Sequence, residues 1–246
     1  METKVTKDSI KLFVSGSTGK MGQSLSNTLV HKQKEDHTFY EILEIVPFDF
    51  IENKELWGSS VIIDFSEASF SLEMLKQAVT KKIPMVIGTT GFNEKQLEII
   101  KEASKKIPLV LAPNTSLGIT ALKAMLYTAL NLGFYNNSTK VEIIEKHHKD
   151  KKDLPSGTSK DIVKFIKKTL SKDKKISIES IREEEISGEH KIILVNEHDL
   201  LTISHKTLNR SVYSEGALLA AIWLDGKREI AGLYEMSDIY LPFEED

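Results

Sequence analysis

The stretch Lys11-Leu-Phe-Val-Ser15-Gly16-Ser17-Thr18-Gly19-Lys20-Met21-Gly22 decides how the first half of the chain is read. The apolar run Lys11–Ser15 stops at Gly16, and beyond the glycines Met21, Leu25 and Leu29 recur every four residues, as on one helix face. Strand, glycine turn and helix in succession form the setting in which backbone N–H groups at a helix start meet a pyrophosphate. Glycine supplies the tight turn and lets the backbone approach closely. Gly16, Ser17, Thr18, Gly19, Lys20 and Met21 are therefore candidate dinucleotide contacts. The spacing is G-x-x-G-x-x-G rather than G-x-G-x-x-G, and Met21 stands where a Walker A loop needs Ser or Thr. An ordinary glycine-rich strand-to-helix turn has the same appearance, so the surrounding pattern has to decide.

Working outward, strands are predicted at Glu41–Val46 (ended by Pro47), Val61–Phe65, Pro84–Ile87 and Pro108–Ala112. Between them lie helical patterns. One has Ser66 as its N-cap and Phe70, Met74 and Val79 on one side. A second, Leu97–Ala103, is opened by an Asn93/Gln96 capping box, and a third runs from Ser116 to about Leu132. Such alternation means βαβ units in a parallel sheet, with ligands at the carboxyl ends of the strands. The loops Gly88-Thr89-Thr90-Gly91 and Ala112-Pro113-Asn114-Thr115-Ser116 fall there, and their small hydroxyl and amide side chains suit a nicotinamide carboxamide, although each alone reads equally as a polar turn. The acidic residue expected at the end of the second strand to hold an adenosine ribose is missing or displaced, with Asp49 a weak candidate.

The texture then changes. Val141–His148, Ile176–Arg182, Lys191–Asn196 and Leu200–Lys206 read as strands with one good helix, Ser159–Leu170, among them, an α+β pattern. The division expected is 1–116, completed by about 210–246, and 117–209, with the segments Ala217–Leu224 and Gly232 onwards returning to the first sheet.

Composition removes several classes of function. The 246 residues are 40% hydrophobic and 28% charged, with net charge -3, so the whole chain is no polyanion binder. With no cysteine, disulfides, thiolate metal sites and cysteine catalysis are excluded. The longest uninterrupted apolar run is Ala217–Leu224, and the first residues carry no apolar h-region; a cytoplasmic protein without a membrane partner is expected.

The segment Glu145-Lys-His147-His148-Lys-Asp-Lys151-Lys-Asp153-Leu-Pro-Ser156-Gly157-Thr158 carries the chemistry. On extended backbone His147 and His148 point to opposite sides and so take different tasks. A histidine titrates near neutrality and can move a proton, while a lysine can donate one or pair with a carboxylate. Ser156-Gly157-Thr158 opens a helix whose N–H groups suit a carboxylate. No carboxylate–histidine spacing supports a metal site. Residues 146–175 hold 11 Lys and 4 Asp, a local charge of 11 − 4 = +7. Phe165 is the only aromatic among them and fits the apolar side of the helix, so base stacking finds little support. A solvated helix face is the commonest meaning of such a run, and a funnel for a small dianion fits better than nucleic-acid binding.

These motifs, in order and over nearly the whole chain, resemble the 4-hydroxy-tetrahydrodipicolinate reductase (dihydrodipicolinate reductase) family. The likeness rests on Gly16–Gly22, Ile63-Asp-Phe-Ser66, Gly88-Thr-Thr-Gly-Phe92, Ala112-Pro-Asn-Thr-Ser-Leu-Gly118 and Glu145–Thr158. It continues through Gly188-Glu-His190, Ile203-Ser-His205 and Arg210-Ser-Val-Tyr-Ser-Glu-Gly-Ala217. The resemblance implies an α/β fold with an N-terminal Rossmann-type parallel sheet. A second α+β domain, built on a mixed, mostly open sheet, would bind substrate and form a homotetramer. It implies hydride transfer from NADH and/or NADPH to a cyclic unsaturated dicarboxylate, giving tetrahydrodipicolinate in diaminopimelate and lysine biosynthesis. On that likeness Gly16 to Met21 cradle the pyrophosphate, and Gly88, Thr89, Thr90 and Ala112, Pro113, Asn114, Thr115 frame the nicotinamide. His147 and Lys151 are the proton-transfer pair, and His148, Ser156, Gly157, Thr158 and Arg210 hold the substrate carboxylates. A catalytically silent cofactor sensor and a dehydrogenase with another substrate are the rival readings on the same fold. The chain departs from the family pattern at Thr115 and Tyr213, each in place of Phe, and at Glu183 and Glu184, in place of glycines.

Overall fold

The computed structural model describes residues 9–35, 40, 43–46, 60–134, 138–149, 151, 153–170, 175–183 and 186–240. Asp49 lies outside them. The strands are β1 (Ile10–Ser15), β2 (Leu43–Val46), β3 (Ser60–Asp64), β4 (Met85–Ile87), β5 (Pro108–Leu111), β6 (Lys140–His148), β7 (Ile176–Glu183), β8 (Glu189–Val195), β9 (Leu200–Lys206) and β10 (Gly232–Tyr234). The helices are α1 (Lys20–Glu35), α2 (Ala68–Lys81), α3 (Glu94–Ser104), α4 (Leu117–Ala129), α5 (Gly157–Leu170), α6 (Ser211–Asp225) and α7 (Met236–Tyr240), with a π turn at Leu130–Phe134. The chain divides into two compact units, Met1–Thr115 with Tyr213–Asp246, and Ser116–Val212.

In the first unit six parallel strands run in the order β10-β5-β4-β3-β1-β2. Alternation along β1 feeds both faces. Ile10, Leu12 and Val14 join Leu25 and Leu29 of α1 and Ala217, Leu218, Ala221 and Leu224 of α6. Phe13 points the other way, into Ile62, Met85 and Leu109 with Met74, Leu75 and Ala78 of α2 and Ile100 of α3. A sheet buried on both faces reads as continuous apolar runs, which is why Val61-Ile-Ile and Met85-Val-Ile have no polar alternation. Because β2 and β3 flank β1 on opposite sides, the strand order reverses at β1, and the crevice of the sheet opens between the carboxyl ends of β1 and β3.

Local chemistry sets most boundaries. The Asn93/Gln96 capping box is complete: Asn93 Oδ1 accepts from Gln96 N at 3.0 Å and Gln96 Oε1 from Asn93 N at 2.9 Å. Ser116 caps α4 by accepting from Ile119 N at 3.2 Å. The expected role of Ser66 is corrected. Helix α2 starts behind Glu67 without a side-chain cap, because the Ser66 hydroxyl donates to Asp64 Oδ1 at 2.5 Å instead. The buried stripe of α2 is Ser71, Met74, Leu75 and Ala78, which leaves Phe70 exposed rather than on the core side.

The second unit carries a mixed four-stranded sheet, order β7-β6-β8-β9, in which β7 runs parallel to β6 through the crossover α5, while β8 and β9 are antiparallel. Helices α4 and α5, with the π turn that follows α4, cover one face with Leu122, Leu126, Leu130, Ile162 and Ile166. The parallel sheet and the mixed second sheet are those expected from the sequence, and β10 does return to the first sheet, beside β5. The stretch Leu117–Phe134 is long and apolar enough to cross a membrane by length and composition, a property that counting uninterrupted apolar runs overlooks. Its buried residues pack in this core, while Leu117, Met125, Tyr127 and Leu132 are exposed.

Helix α6 approaches the loop that follows β5 closely enough that a Cβ on Gly216 would lie 1.8 Å from the Thr115 carbonyl oxygen. Gly216→Ala should therefore lower unfolding stability by about 1–3 kcal/mol, the range of overpacked cores. Urea denaturation checks it, and an unchanged midpoint would mean that the two segments separate freely.

Candidate active site

At the crevice of the first unit, Gly16 has φ +78°, and a Cβ there would lie 2.4 Å from the Phe65 carbonyl oxygen. A Cβ on Gly22 would lie 2.4 Å from the Gly16 carbonyl oxygen. Both glycines are thus required by the turn itself. Gly19 differs: a Cβ there would meet only the Gly16 carbonyl oxygen, at 3.3 Å, with open space beyond. Ser17, Thr18, Gly19 and Lys20 are exposed, and the first turn of α1 carries no acidic residue. An exposed backbone turn at a helix start, free of carboxylates, fits an anionic pyrophosphate.

Behind this loop Asp64, fully buried at the end of β3, ties two loops together. Its carboxylate accepts from the Ser66 hydroxyl (2.5 Å) and from the Thr89 hydroxyl (2.7 Å), and Thr89 Oγ1 accepts from Ser66 N at 2.9 Å. Two of the predicted nicotinamide-framing side chains are therefore engaged within the unit. Thr89 holds Asp64 and Ser66, and Thr115 is buried with its hydroxyl on the Tyr213 carbonyl at 2.6 Å. Gly88, Thr90, Pro113 and Asn114 remain partly exposed on the same loops, with Ala112 buried.

In the second unit the register of the sheet makes rungs. On the helix-covered face, Ile176, Val141, Leu194 and Leu201 form one rung, and Ile178, Ile143, Ile192 and Ile203 the next. The following rung is polar on every strand: Ser180, Glu145, His190 and His205. One pair further along stand His147 and Arg182. His148 projects from the opposite face of the pleat, as strand alternation requires.

Glu145 is completely buried yet richly bonded. It accepts from Ser156 N with both oxygens at 3.1 Å, from the Ser159 hydroxyl at 2.7 Å and from Arg182 Nη2 at 3.1 Å. Burial opposes its ionisation, and the bonds from Ser156, Ser159 and Ser180 more than offset that cost, holding its pKa at about 2. His147 is 5% exposed, its Nδ1 lies 3.7 Å from Glu145, and its ring meets His190 edge-on with centroids 5.0 Å apart. Burial and the nearby Lys151 cation push the His147 pKa down to about 4, against the pull of Glu145. Burial, with repulsion from His147, takes His190 to about 3. Both rings are neutral at physiological pH.

Lys151 Nζ pairs with Asp153 at 2.8 Å, and Asp153 accepts from Gly157 N at 2.9 Å. The backbone donors of Ser156 and Gly157, expected to await a substrate carboxylate, are thus already capped by two carboxylates of the chain itself. Thr158 is buried in the first turn of α5, and Arg210 lies half-buried just ahead of α6, outside the hydrogen-bond network of this cluster among the described residues. The structure therefore brings His147, Lys151, Ser156, Gly157 and Thr158 to one end of one sheet. It adds Glu145, Asp153, Ser159, Arg182 and His190, to which sequence reasoning gave no role. One signal was available for Glu145: an acid two residues before His147, in phase with Val141 and Ile143 on the apolar side of a strand. The ligand atoms of Glu145, His147 and His190 lie within 4.8 Å of one another. A cation placed there would face the Arg182 guanidinium 3.1 Å from the same carboxylate, so the donor set suits hydrogen bonding better than metal binding.

A parallel sheet with a phosphate-fitting glycine turn at its switch point, together with buried histidines near a partly exposed lysine in a second unit, suits a nicotinamide-dependent reductase of the Rossmann class. Residues 10–115 match the family described as dihydrodipicolinate reductase, N-terminus, and residues 118–240 that described as dihydrodipicolinate reductase, C-terminus. The chain belongs to the dihydrodipicolinate reductase family. The 4-hydroxy-tetrahydrodipicolinate reductase of Wigglesworthia glossinidia brevipalpis is 38% identical over 249 residues, covering 94% of this chain and 93% of its own length. That of Buchnera aphidicola subsp. Cinara cedri is 34% identical over 270 residues, covering 95% and 97%. Among solved structures, a dipicolinate-bound dihydrodipicolinate reductase from Paenisporosarcina sp. TG-14 shares the fold with TM-score 0.68 and 22% identity, covering 95% of this chain and 100% of that one.

The depressed histidines have a stability consequence. His147 and His190 stay neutral in the folded chain, whereas in the unfolded chain they take up protons near pH 6.5. Their contribution is present above about pH 6.5 and is lost as the pH falls towards about 4. Glu145, whose pKa falls from 4.5 to about 2, adds a further loss below pH 4.5. The melting temperature should hold above pH 7 and decline steadily below 6.5. His190→Gln should flatten that decline, and parallel pH profiles for the two proteins would contradict the assignment.

Proposed function

We propose that this chain reduces a cyclic unsaturated dicarboxylate to tetrahydrodipicolinate, with His147 and Lys151 managing the proton. The observation that carries the reading is the convergence of His147, the Lys151 cation and the α5 N-terminus at one end of the second sheet. The Gly16–Met21 turn would hold the pyrophosphate, with Gly88, Thr90, Pro113 and Asn114 near the nicotinamide. Thr89 and Thr115 act from behind, fixing those loops through Asp64 and Tyr213. When bound, the nicotinamide supplies the hydride.

The remaining chemistry belongs to the chain. Reduction of a C=N-conjugated ring leaves negative charge that has to be protonated or paired. A neutral His147 is an acceptor and relay rather than a stored acid, so the Lys151 ammonium supplies the positive charge and the proton. The Gly157 N–H, now on Asp153, together with Thr158, His148 and Arg210, would receive the substrate carboxylates, whereas Ser156, fully buried with its N–H on Glu145, would support them from behind. The relatives named for the same reductase activity and the dipicolinate held by the Paenisporosarcina enzyme support this substrate class.

The test follows nicotinamide absorbance with substrate made in situ by a synthase from pyruvate and aspartate semialdehyde, with NADH and NADPH in parallel. His147→Gln should lower kcat by roughly 10²–10⁴-fold with cofactor affinity kept. Lys151→Ala should lower kcat and raise the substrate KM together. An unchanged kcat in His147→Gln removes the proton role, and cofactor binding without turnover in the wild type removes the substrate.

We also infer a homotetramer. The exposed Leu117, Met125, Tyr127 and Leu132 of the α4 stretch, and a groove of about 780 Å³ lined by Met125, Leu132, Phe134, Leu201 and Ile203, support self-association. Light scattering should give four times the chain mass, and Leu132→Lys should shift it downwards. A wild-type mass of one chain would refute the assembly.

A further inference from the structure

The second unit presents its proposed chemistry on three separate pieces of chain: the end of β6 with His147, the loop carrying Lys151 and Asp153, and the first turn of α5. One buried side chain, which contributes no atom to the proposed chemistry, sits on the same strand as His147, bonds the start of α5 directly and is linked to the loop through Arg182. We propose that Glu145 is a positioning residue, the internal anion on which the proton-transfer loop and the carboxylate-binding turn are assembled.

The geometry is specific. Through Ser156 N and the Ser159 hydroxyl, Glu145 fixes the start of α5. Through Arg182 it reaches the loop, because Arg182 Nη2 donates both to Glu145 at 3.1 Å and to the Asp153 carbonyl at 2.7 Å. Asp153 in turn holds Lys151 Nζ and Gly157 N with its carboxylate. The path from Glu145 to Lys151 is thus three consecutive polar contacts, Glu145–Arg182, Arg182–Asp153 and Asp153–Lys151. Arg182 stands directly across from His147 on β7, so the same pair borders the histidine. The positive groups facing Glu145 from the packed elements are Arg182 of β7 and the α5 N-terminus. His147 of its own strand and His190 of β8, at 3.7 and 3.9 Å, complete the shell. Glu145 has no exposed surface, which separates it from the groups a ligand can touch. A buried carboxylate coupled to one guanidinium is costly to break on one side only, because the survivor is left charged and unpaired.

The inference rests on the reductase reading for its kinetic consequence but not for its structural one, and the experiment reads both. In Glu145→Gln, amide hydrogen exchange at Ser156 and Gly157 should rise at least tenfold, while the strands of the first unit keep wild-type protection. Reductive methylation of Lys151, followed by mass spectrometry, should accelerate. With the synthase-coupled assay below the melting temperature, kcat should fall roughly 10- to 100-fold and the substrate KM rise, with cofactor affinity unchanged. Arg182→Met should cost a similar factor, and the double variant little more than the worse single one, since both act through one chain of contacts. Should Glu145→Gln not fold, Ser159→Ala removes one bond to the carboxylate and keeps the charge. It should raise exchange at Ser156 and reduce kcat by a few-fold. Wild-type exchange and kinetics in folded Glu145→Gln, or full additivity with Arg182→Met, would overturn the proposal. Faster exchange and methylation in a chain whose wild type lacks reductase activity would uphold the positioning role and overturn the reductase reading alone.

Discussion

The register of β6 is the constraint on which the second unit depends. Pairing Val141 with Leu194 and Ile176, and Ile143 with Ile192 and Ile178, stacks two apolar rungs under α4 and α5. Because side chains alternate with a period of two, the same register then obliges Glu145 and His147 to point inward. A slip of one residue would bury Glu142 and Lys146 and expose Ile143, so the apolar rungs and the polar end select the same pairing. Site and core are in that sense one decision, taken by one strand.

What the polar rung requires explains the loop that follows it. A carboxylate with no solvent contact needs donors, and Ser156, Ser159 and Arg182 are all drawn to it. The crossover from β6 to β7 therefore starts with a turn folded back over the end of β6, which brings Lys151 and Asp153 with it. The neutral state of His147 has the same origin: burial outweighs the attraction of Glu145, and the Lys151 cation adds to the effect. A neutral histidine therefore stands near a lysine whose charge is paired with Asp153.

The first unit was legible in sequence to a large degree, for physical reasons visible in particular residues. Short apolar runs ended by glycine, proline or a capping residue left little freedom, as at Ser15–Gly16 and at the complete Asn93/Gln96 box. Ser66 misled because a serine before a helical pattern is a cap by default. Asp64, buried at the end of β3, competes for its hydroxyl and wins with a charged acceptor. Phe70 misled because a four-residue period tolerates two helix phases, and the one chosen buries Leu75 instead.

In the second unit the positions of His147, Lys151 and Ser156 to Thr158 were legible because they lie within one short segment. Their supports were not, since Arg182 and His190 stand 37 and 45 positions beyond Glu145 in the chain and reach it only through strand pairing. Periodicity says which side a residue faces, but not which residue of another strand stands opposite, and the chemistry of a buried acid depends on the second. Glu145 read alone is an acid misplaced on an apolar face; read with Arg182, Ser156, Ser159 and His190 it is the reason the segment holds its shape. The same reasoning applies to Thr115, whose hydroxyl finds the Tyr213 carbonyl nearly a hundred positions away. A small polar residue there closes an internal bond to the neighbouring segment, a contact that a phenylalanine, lacking a donor, could not make.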